Sequence, residues 1–334
     1  MLRAPRERRR APAGNLRRAS CDYASMKPER SELLALLALL AGALAIGSSG
    51  VLVRVSETGA VASAFWRGAL AVPPLALWAF LERRAPVAAD GAQPRQALFD
   101  PGFLWAGMFF AADIALYHLS LMRTSVAASS LEANTAPIVV TILAWVVWGE
   151  RPRLGFLLAT LLAFGGLVLI MSPKLAGGGH ALAGDALALG AAWFYAAYIL
   201  VVARLRARHG TGVVMFASTL IFSLLLLPLP LVMGEKFLPD TAHGWLVLAV
   251  LALSAQALGQ SLIAYALAHL PATFGSVGLY LQVIAAAVYA WLLLDERLQP
   301  IQLLGGVIVL IGIALARASR GTRRKAAPAP ATTS

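Results

Sequence analysis

Ten apolar stretches, each close to the ~20 residues a helix needs to cross the ~30 Å hydrocarbon core of a bilayer, dominate this chain of 334 residues. They lie at 33–53, 61–81, 99–120, 126–148, 154–172, 184–204, 212–233, 243–267, 274–294 and 300–317, separated by polar, Pro- or Gly-containing punctuation. Lipid offers no partner to a free backbone group, so only helices and closed barrels can span it. Barrel strands alternate polar and apolar residues over ~10 positions, and runs such as LLATLLAFGGLVLIM do not alternate. The expectation is an all-α integral membrane protein with ten transmembrane helices.

Composition supports the same class. Charged residues make up only 13% of the chain and hydrophobic ones 59%, against about a quarter charged in soluble proteins. The net charge of +12 sits in tails and short connections, not in a basic stripe interleaved with aromatics, which argues against nucleic acid as a partner. A single cysteine, Cys21, excludes an intrachain disulfide and a thiolate metal cluster.

Residues 1–30, which include RERRR, read as a disordered basic tail, and Met26 serves as well as Met1 for a start. The run 33–53 is long enough to span, so it reads as the first membrane helix and not as a cleaved signal peptide. Residues 319–334 read as a second disordered tail. Cytoplasmic segments retain Lys and Arg. With both termini cytoplasmic, the inner side holds 22 of them and the outer side five: Arg54, Arg123, Lys174, Lys236 and Arg297.

Two of the apolar runs end alike. AWVVWGERP at 144–152 and AWLLLDERL at 290–298 share Ala, Trp, Glu and Arg at an offset of 146. Sliding 111–169 onto 257–315 without a gap matches 13 of 59 positions, including Ser130 with Ser276 and Gly166 with Gly312. Internal duplication explains this. Repeats over 31–173 and 182–318 would take five spans each, and an odd number forces the second copy to enter the membrane upside down. Two inverted-topology five-helix repeats are the expected architecture, with Glu150-Arg151 and Glu296-Arg297 ending helices at opposite water surfaces. These pairs mark interface turns or act as gates. Inverted repeats underlie many secondary transporters, in which the halves rock about a site near the midplane.

The stretches LSLMRTSVAASSLEANTAPIVVTILAWVVWGERPRLGFLLATLLAFGGLVLI and ALAHLPATFGSVGLYLQVIAAAVYAWLLLDERLQPIQLLGGVIVLIGIAL resemble the paired signatures of EamA-type drug/metabolite transporters. The resemblance covers about residues 33 to 317. It implies a ten-helix inner-membrane carrier of two five-helix repeats, commonly an exporter of small metabolites. Two positions depart from that pattern: the family's proline late in the fourth helix is Pro137 in the first copy but Val283 in the second, and Glu132 is charged where the family is usually apolar.

Ionisable groups inside a span are costly unless paired or wetted, which makes them functional candidates. Arg67 lies in the second helix, Asp113 and His118 in the third, Glu132 and Asn134 in the fourth. Depth allows Arg67, Asp113 and Glu132 to meet in one half of the first repeat, either as a substrate site or as a buried pair that fixes packing. Their counterparts at the offset of 146 are Gly259 for Asp113 and Gly278 for Glu132, so the charge is one-sided. Gln256 and Gln260, four apart and so on one helical face, join Gln282 as amides that bind substrate or neighbouring helices. Tyr280, Trp291 and Tyr265 offer apolar surface. The GG pairs 165–166 and 305–306 allow close helix packing, and Pro73, Pro74, Pro137, Pro228 and Pro230 kink helices or free carbonyls.

An enzyme is disfavoured. His180 and Asp185 in HALAGD have an acyltransferase spacing and HGTG at 209–212 an oxyanion-loop look, but no nucleophile with an adjacent base accompanies either. Asp185 reads as a helix cap, and no Walker A loop is present. The sequence therefore points to a secondary transporter, monomer or homodimer in the bacterial inner membrane. It would export small polar or amphipathic metabolites, amino acids among them, by alternating access without a cofactor or metal. Protons are a candidate coupling ion, carried by Asp113 or Glu132; a facilitator needs none. The alternatives are a non-transporting scaffold or receptor and a membrane-embedded enzyme.

Overall fold

The computed structural model describes residues 28–84, 100–124, 126–149, 151–175 and 182–319. Cys21, Met26, Glu150, His180 and the tail 320–334 lie outside the described residues. Among the described residues, ten helices are long and apolar enough to cross a membrane. They are α1 (Arg30–Arg54), α2 (Ala60–Arg84), α3 (Pro101–Leu121), α4 (Ala128–Trp148), α5 (Leu154–Pro173), α6 (Leu182–Arg206), α7 (Thr211–Val232), α8 (Ala242–His269), α9 (Ala272–Leu294) and α10 (Pro300–Ala318). The helix that becomes α1 starts at Pro28, so the last residues of the expected N-terminal tail are helical.

Helix pairing follows the duplication. α1 packs against α8 and α9, and α6 packs against α3 and α4; α2 touches α8 as α7 touches α3. The pairs α2–α7, α4–α9 and α5–α10 also pack together. Exchanging each helix with the one five places on leaves the neighbours unchanged, apart from the contacts of α6 with α8 and α9. Two five-helix units with odd numbers of crossings, related by a pseudo-two-fold, produce that pattern.

The α5–α10 crossing shows the offset in individual contacts. A Cβ on Gly166 would stand 2.7 Å from the carbonyl oxygen of Gly305 and 2.8 Å from the amide of Val309, and one on Gly312 would stand 2.7 Å from Ala163. Adding 146 to Ala163 and Gly166 gives Val309 and Gly312, so one contact is the image of the other. Backbones approach closely only where side chains are absent, which is how small residues join helices in lipid. Only one glycine of each GG pair serves this contact: Gly165 and Gly306 have nothing within 4 Å.

α4 and α9 share an interruption. α4 is broken between Ala133 and Ala136, α9 between Gly278 and Leu281. Thr135 donates to the Glu132 carbonyl at 2.9 Å in the first, and Tyr280 to the Val277 carbonyl at 3.1 Å in the second, the i to i+3 bonding of a tightened turn. The break therefore survives the replacement of Pro137 by Val283, and proline is not its cause. α2 and α7 are interrupted just before Val72 and Pro228, where their prolines withhold amides. α8 carries a π-helical segment, Ala252–Gln260, without any proline.

The charged ends that close α4 and α9 have a local cause. Gly149 and Asp295 both take the left-handed conformation that ends a helix, after which the chain turns away into water. Trp145 and Trp291, one turn earlier, are half exposed on the outer surface, where interfacial tryptophans sit. Trp291 is therefore not part of an internal apolar wall.

Candidate functional site

The interior charges gather where α2, α3, α6, α7 and α8 meet. Arg67, seven residues into α2, donates from Nε to Oε1 of Gln256 at 3.1 Å. Gln256 is fully buried and donates from Nε2 to the Thr219 hydroxyl of α7 at 2.9 Å. The π segment holds Gln256 in place: i to i+5 bonding widens the helix, and such segments recur at functional positions. One chain of polar contacts thus runs from the first repeat into two helices of the second.

Aromatic rings surround the guanidinium. Arg67 lies 5.8 Å from the centroid of Phe110 on α3, within reach of a cation–π attraction. Phe110 stacks on Tyr198 of α6 at 4.7 Å, and Tyr195 lies 6.0 Å from Tyr198. Tyr195 faces Gln260. Gln256 and Gln260 are both buried, yet they serve different neighbours: the first reaches α2 and α7, the second α6. Phe110, Tyr195, Tyr198 and Thr219 were not singled out from the sequence, because an aromatic or threonine within an apolar span reads as ordinary packing.

Asp113 follows Phe110 on α3 and is 9% exposed. It feels the Arg67 charge, but among the described residues the two close no ion pair. The buried pair that would only fix packing is therefore not formed. At the equivalent place in the second repeat, Gly259 packs on α1, where its Cβ would meet Ile46 at 2.7 Å. The second repeat fills with close packing what the first lines with charge.

The other expected residues lie elsewhere. The Asn134 side chain donates to the Ser130 carbonyl at 2.7 Å, and the Glu132 backbone carbonyl accepts from the Thr135 hydroxyl at 2.7 Å, so the Asn134 amide and the Glu132 backbone serve the break in α4. His118 contacts the Ile114 carbonyl through Nδ1 at 2.8 Å and meets Tyr117 edge-on. Tyr280 is fully buried in the core, its hydroxyl without a partner among the described residues. Gln282 is half-buried on α9, where its backbone carbonyl comes close to Gly47 of α1. Tyr265 packs on His269 near the end of α8.

Of the four helix-end charges, Glu150 lies outside the described residues and Arg151 and Arg297 are exposed. Glu296 pairs with Arg54 of α1 at 2.6 Å, a bond between the two repeats. Asp185 lies in the first turn of α6, but its Oδ1 is buried without a partner among the described residues, so the expected cap is not made through that atom. Residues of HGTG instead begin α7: Gly210 is its N-cap, and Val213 donates to the Glu82 carboxylate at 3.1 Å.

An open apolar groove of about 630 Å³ between α1, α9 and α10, lined by Leu36, Leu40 and Ile313 and ending on Arg317, contains none of the interior charges.

The model of the EamA-like transporter family matches residues 33–172 and 182–318. A pseudopaline exporter of Pseudomonas aeruginosa is 28% identical over 225 residues, covering 66% of this chain and 76% of its own length. An uncharacterized transporter of Archaeoglobus fulgidus is 25% identical over 267 residues, covering 77% and 87%. A solved crystal structure shares the fold with a TM-score of 0.71 at 15% identity, over 89% of this chain and all of the other.

Proposed function

The chain belongs to the EamA-like transporter family, and from that premise we propose that it exports amino acids or related small zwitterions across the inner membrane by alternating access. Membership makes it a multi-pass membrane transporter; the substrate class, the direction and the membrane are the proposal. Both termini would face the cytoplasm, following the Lys and Arg asymmetry.

The observation that carries this reading is that Arg67 and Asp113 lie within electrostatic reach of one another yet form no ion pair. Two opposite charges held in the span without direct contact leave each with much of its desolvation cost unrecovered, several kcal/mol per ion. A substrate with an anionic and a cationic group recovers it at both ends: its carboxylate meets the Arg67 guanidinium, its ammonium meets Asp113. Phe110, Tyr195 and Tyr198 then cover its apolar part. Because Gln256, itself bonded to Thr219, holds Arg67 from the second repeat, rocking of the halves would change the site as it changes its exposure. The naming of a relative as an exporter supports the direction.

Comparing metabolites in the medium of strains lacking and overproducing the protein tests the class. Amino acids or other zwitterions should accumulate outside the overproducing strain and fall in the deletion strain, and Arg67→Gln should remove the difference. Accumulation of purely anionic or purely cationic compounds alone would contradict it.

A further inference from the structure

The carrier reading requires two mouths that open in turn, and the structure contains a matched pair of contacts at opposite ends of two adjacent helices. α2 and α7 exchange places under the pseudo-two-fold and lie side by side. Each begins with a glycine N-cap, Gly59 and Gly210, and neither cap makes a side-chain hydrogen bond of its own. The missing acceptor comes from the other helix. Glu235, just past the end of α7, accepts from the Ala62 amide at 2.9 Å through Oε2 and so caps α2. Glu82, near the end of α2, accepts from the Val213 amide at 3.1 Å and caps α7.

The two glycines make room for these carboxylates. A Cβ on Gly59 would stand 2.2 Å from Oε2 of Glu235, and one on Gly210 would stand 2.1 Å from Cδ of Glu82. Each repeat therefore supplies one acid and the glycine that receives the other repeat's acid. Four unsatisfied amides and the positive end of the helix dipole make a helix start a favourable place for a carboxylate. Because α2 and α7 each cross the membrane and run antiparallel, the two caps lie on opposite faces, and each joins one repeat to the other.

We infer that Glu235 and Glu82 are the paired gate residues of this protein, each closing one mouth by capping the gating helix of the opposite repeat. With both caps made, both mouths would be shut. Opening one mouth separates the repeats there and releases its carboxylate while the other cap remains. Neighbouring contacts follow the same division: Trp66 donates to the Phe237 carbonyl at 2.7 Å on the Glu235 face, and His209 meets Asp100 at 2.9 Å on the Glu82 face.

The inference rests on the carrier reading, but its test needs no substrate. Ser63 and Val214, four residues past the two glycine caps, are both fully buried. Single cysteines there, in a Cys21→Ser background, report opening by their rate of reaction with a water-soluble maleimide in purified, monodisperse full-length protein. Glu235→Ala, which removes the acceptor, should speed labelling of Ser63→Cys severalfold and slow labelling of Val214→Cys; Glu82→Ala should do the reverse. Gly59→Ala and Gly210→Ala, which push each carboxylate away without removing its charge, should reproduce the two patterns. Equal changes at both reporters, or none, would overturn the inference. Reciprocal labelling in a protein that moves no substrate would leave the gates standing and sink the carrier reading instead.

Discussion

Gly149 and Asp295 occupy the same left-handed turn at corresponding ends of α4 and α9, with φ of 69° and 54°. Asp295 is the one non-glycine residue with positive φ among the described residues. Left-handed backbone costs an L-residue roughly 1–2 kcal/mol, and aspartate tolerates it better than most. Asp295→Gly should therefore leave thermal stability in detergent unchanged or raise it by up to about 1 kcal/mol. Gly149→Val should lower it by at least ~1 kcal/mol, since a β-branched residue fits that region poorly. Equal effects at both positions would show that the turns are not equivalent.

The α5–α10 crossing sorts its glycines. Gly166→Leu and Gly305→Leu should each unfold or dissociate the bundle in detergent, because their side chains would enter the facing backbone, at 2.7 Å and 2.6 Å already for a Cβ. Overpacking of this kind costs ~1–3 kcal/mol or more. Gly165→Ala and Gly306→Ala should be tolerated, since a Cβ there meets open space. Size-exclusion profiles and melting temperatures separate the two groups.

Asp100 gives the protein a defined acid response. Its carboxylate is held below the usual range first by the hydrogen bond from His209 and then by the Gly102 amide. A depressed carboxylate contributes stability that is complete above its unfolded value of ~3.9 and is lost as pH falls through its folded value. Melting temperature should therefore fall as the pH drops below about 4, and Asp100→Asn should start lower and fall less steeply. A parallel fall in both proteins would remove Asp100 from the account.

Glu57 carries a second tie across the repeats. It accepts from the amides of Asp240 and Thr241 at 2.8 and 3.1 Å and from the Thr241 hydroxyl, which itself caps α8 at Gly244. Glu57→Gln should lower the melting temperature modestly, as expected for an exposed charge-assisted bond, and high salt should narrow the difference between mutant and parent.

Much of this arrangement is legible in the sequence, and for physical reasons. Spans announce themselves because lipid demands about 20 apolar residues in a row. The repeat shows through Trp145 with Trp291 and the Glu-Arg pairs because helix ends and interfaces constrain residue type more than lipid-facing positions do. Arg67, Asp113 and Gln256 stand out because polar groups are rare in spans. The aromatic wall of Phe110, Tyr195 and Tyr198 does not, since rings in apolar runs have many uses. Nor do the reciprocal caps: Glu82 and Glu235 look like ordinary loop charges until α2 and α7 are brought side by side. Depth along a helix does not say which way a residue turns: Asn134, at the same depth as the charges, spends its side-chain amide on the Ser130 carbonyl at the break in α4.

The most direct test of the account is counterflow in proteoliposomes. Vesicles preloaded with an unlabelled amino acid mixture should draw in labelled zwitterionic amino acids against their gradient when they contain the parent protein. Those with Arg67→Gln or Asp113→Asn should lose at least about tenfold of that exchange, the factor that ~1.4 kcal/mol of lost binding produces. Undiminished counterflow in both variants would contradict the proposal that these two charges hold the substrate between the repeats.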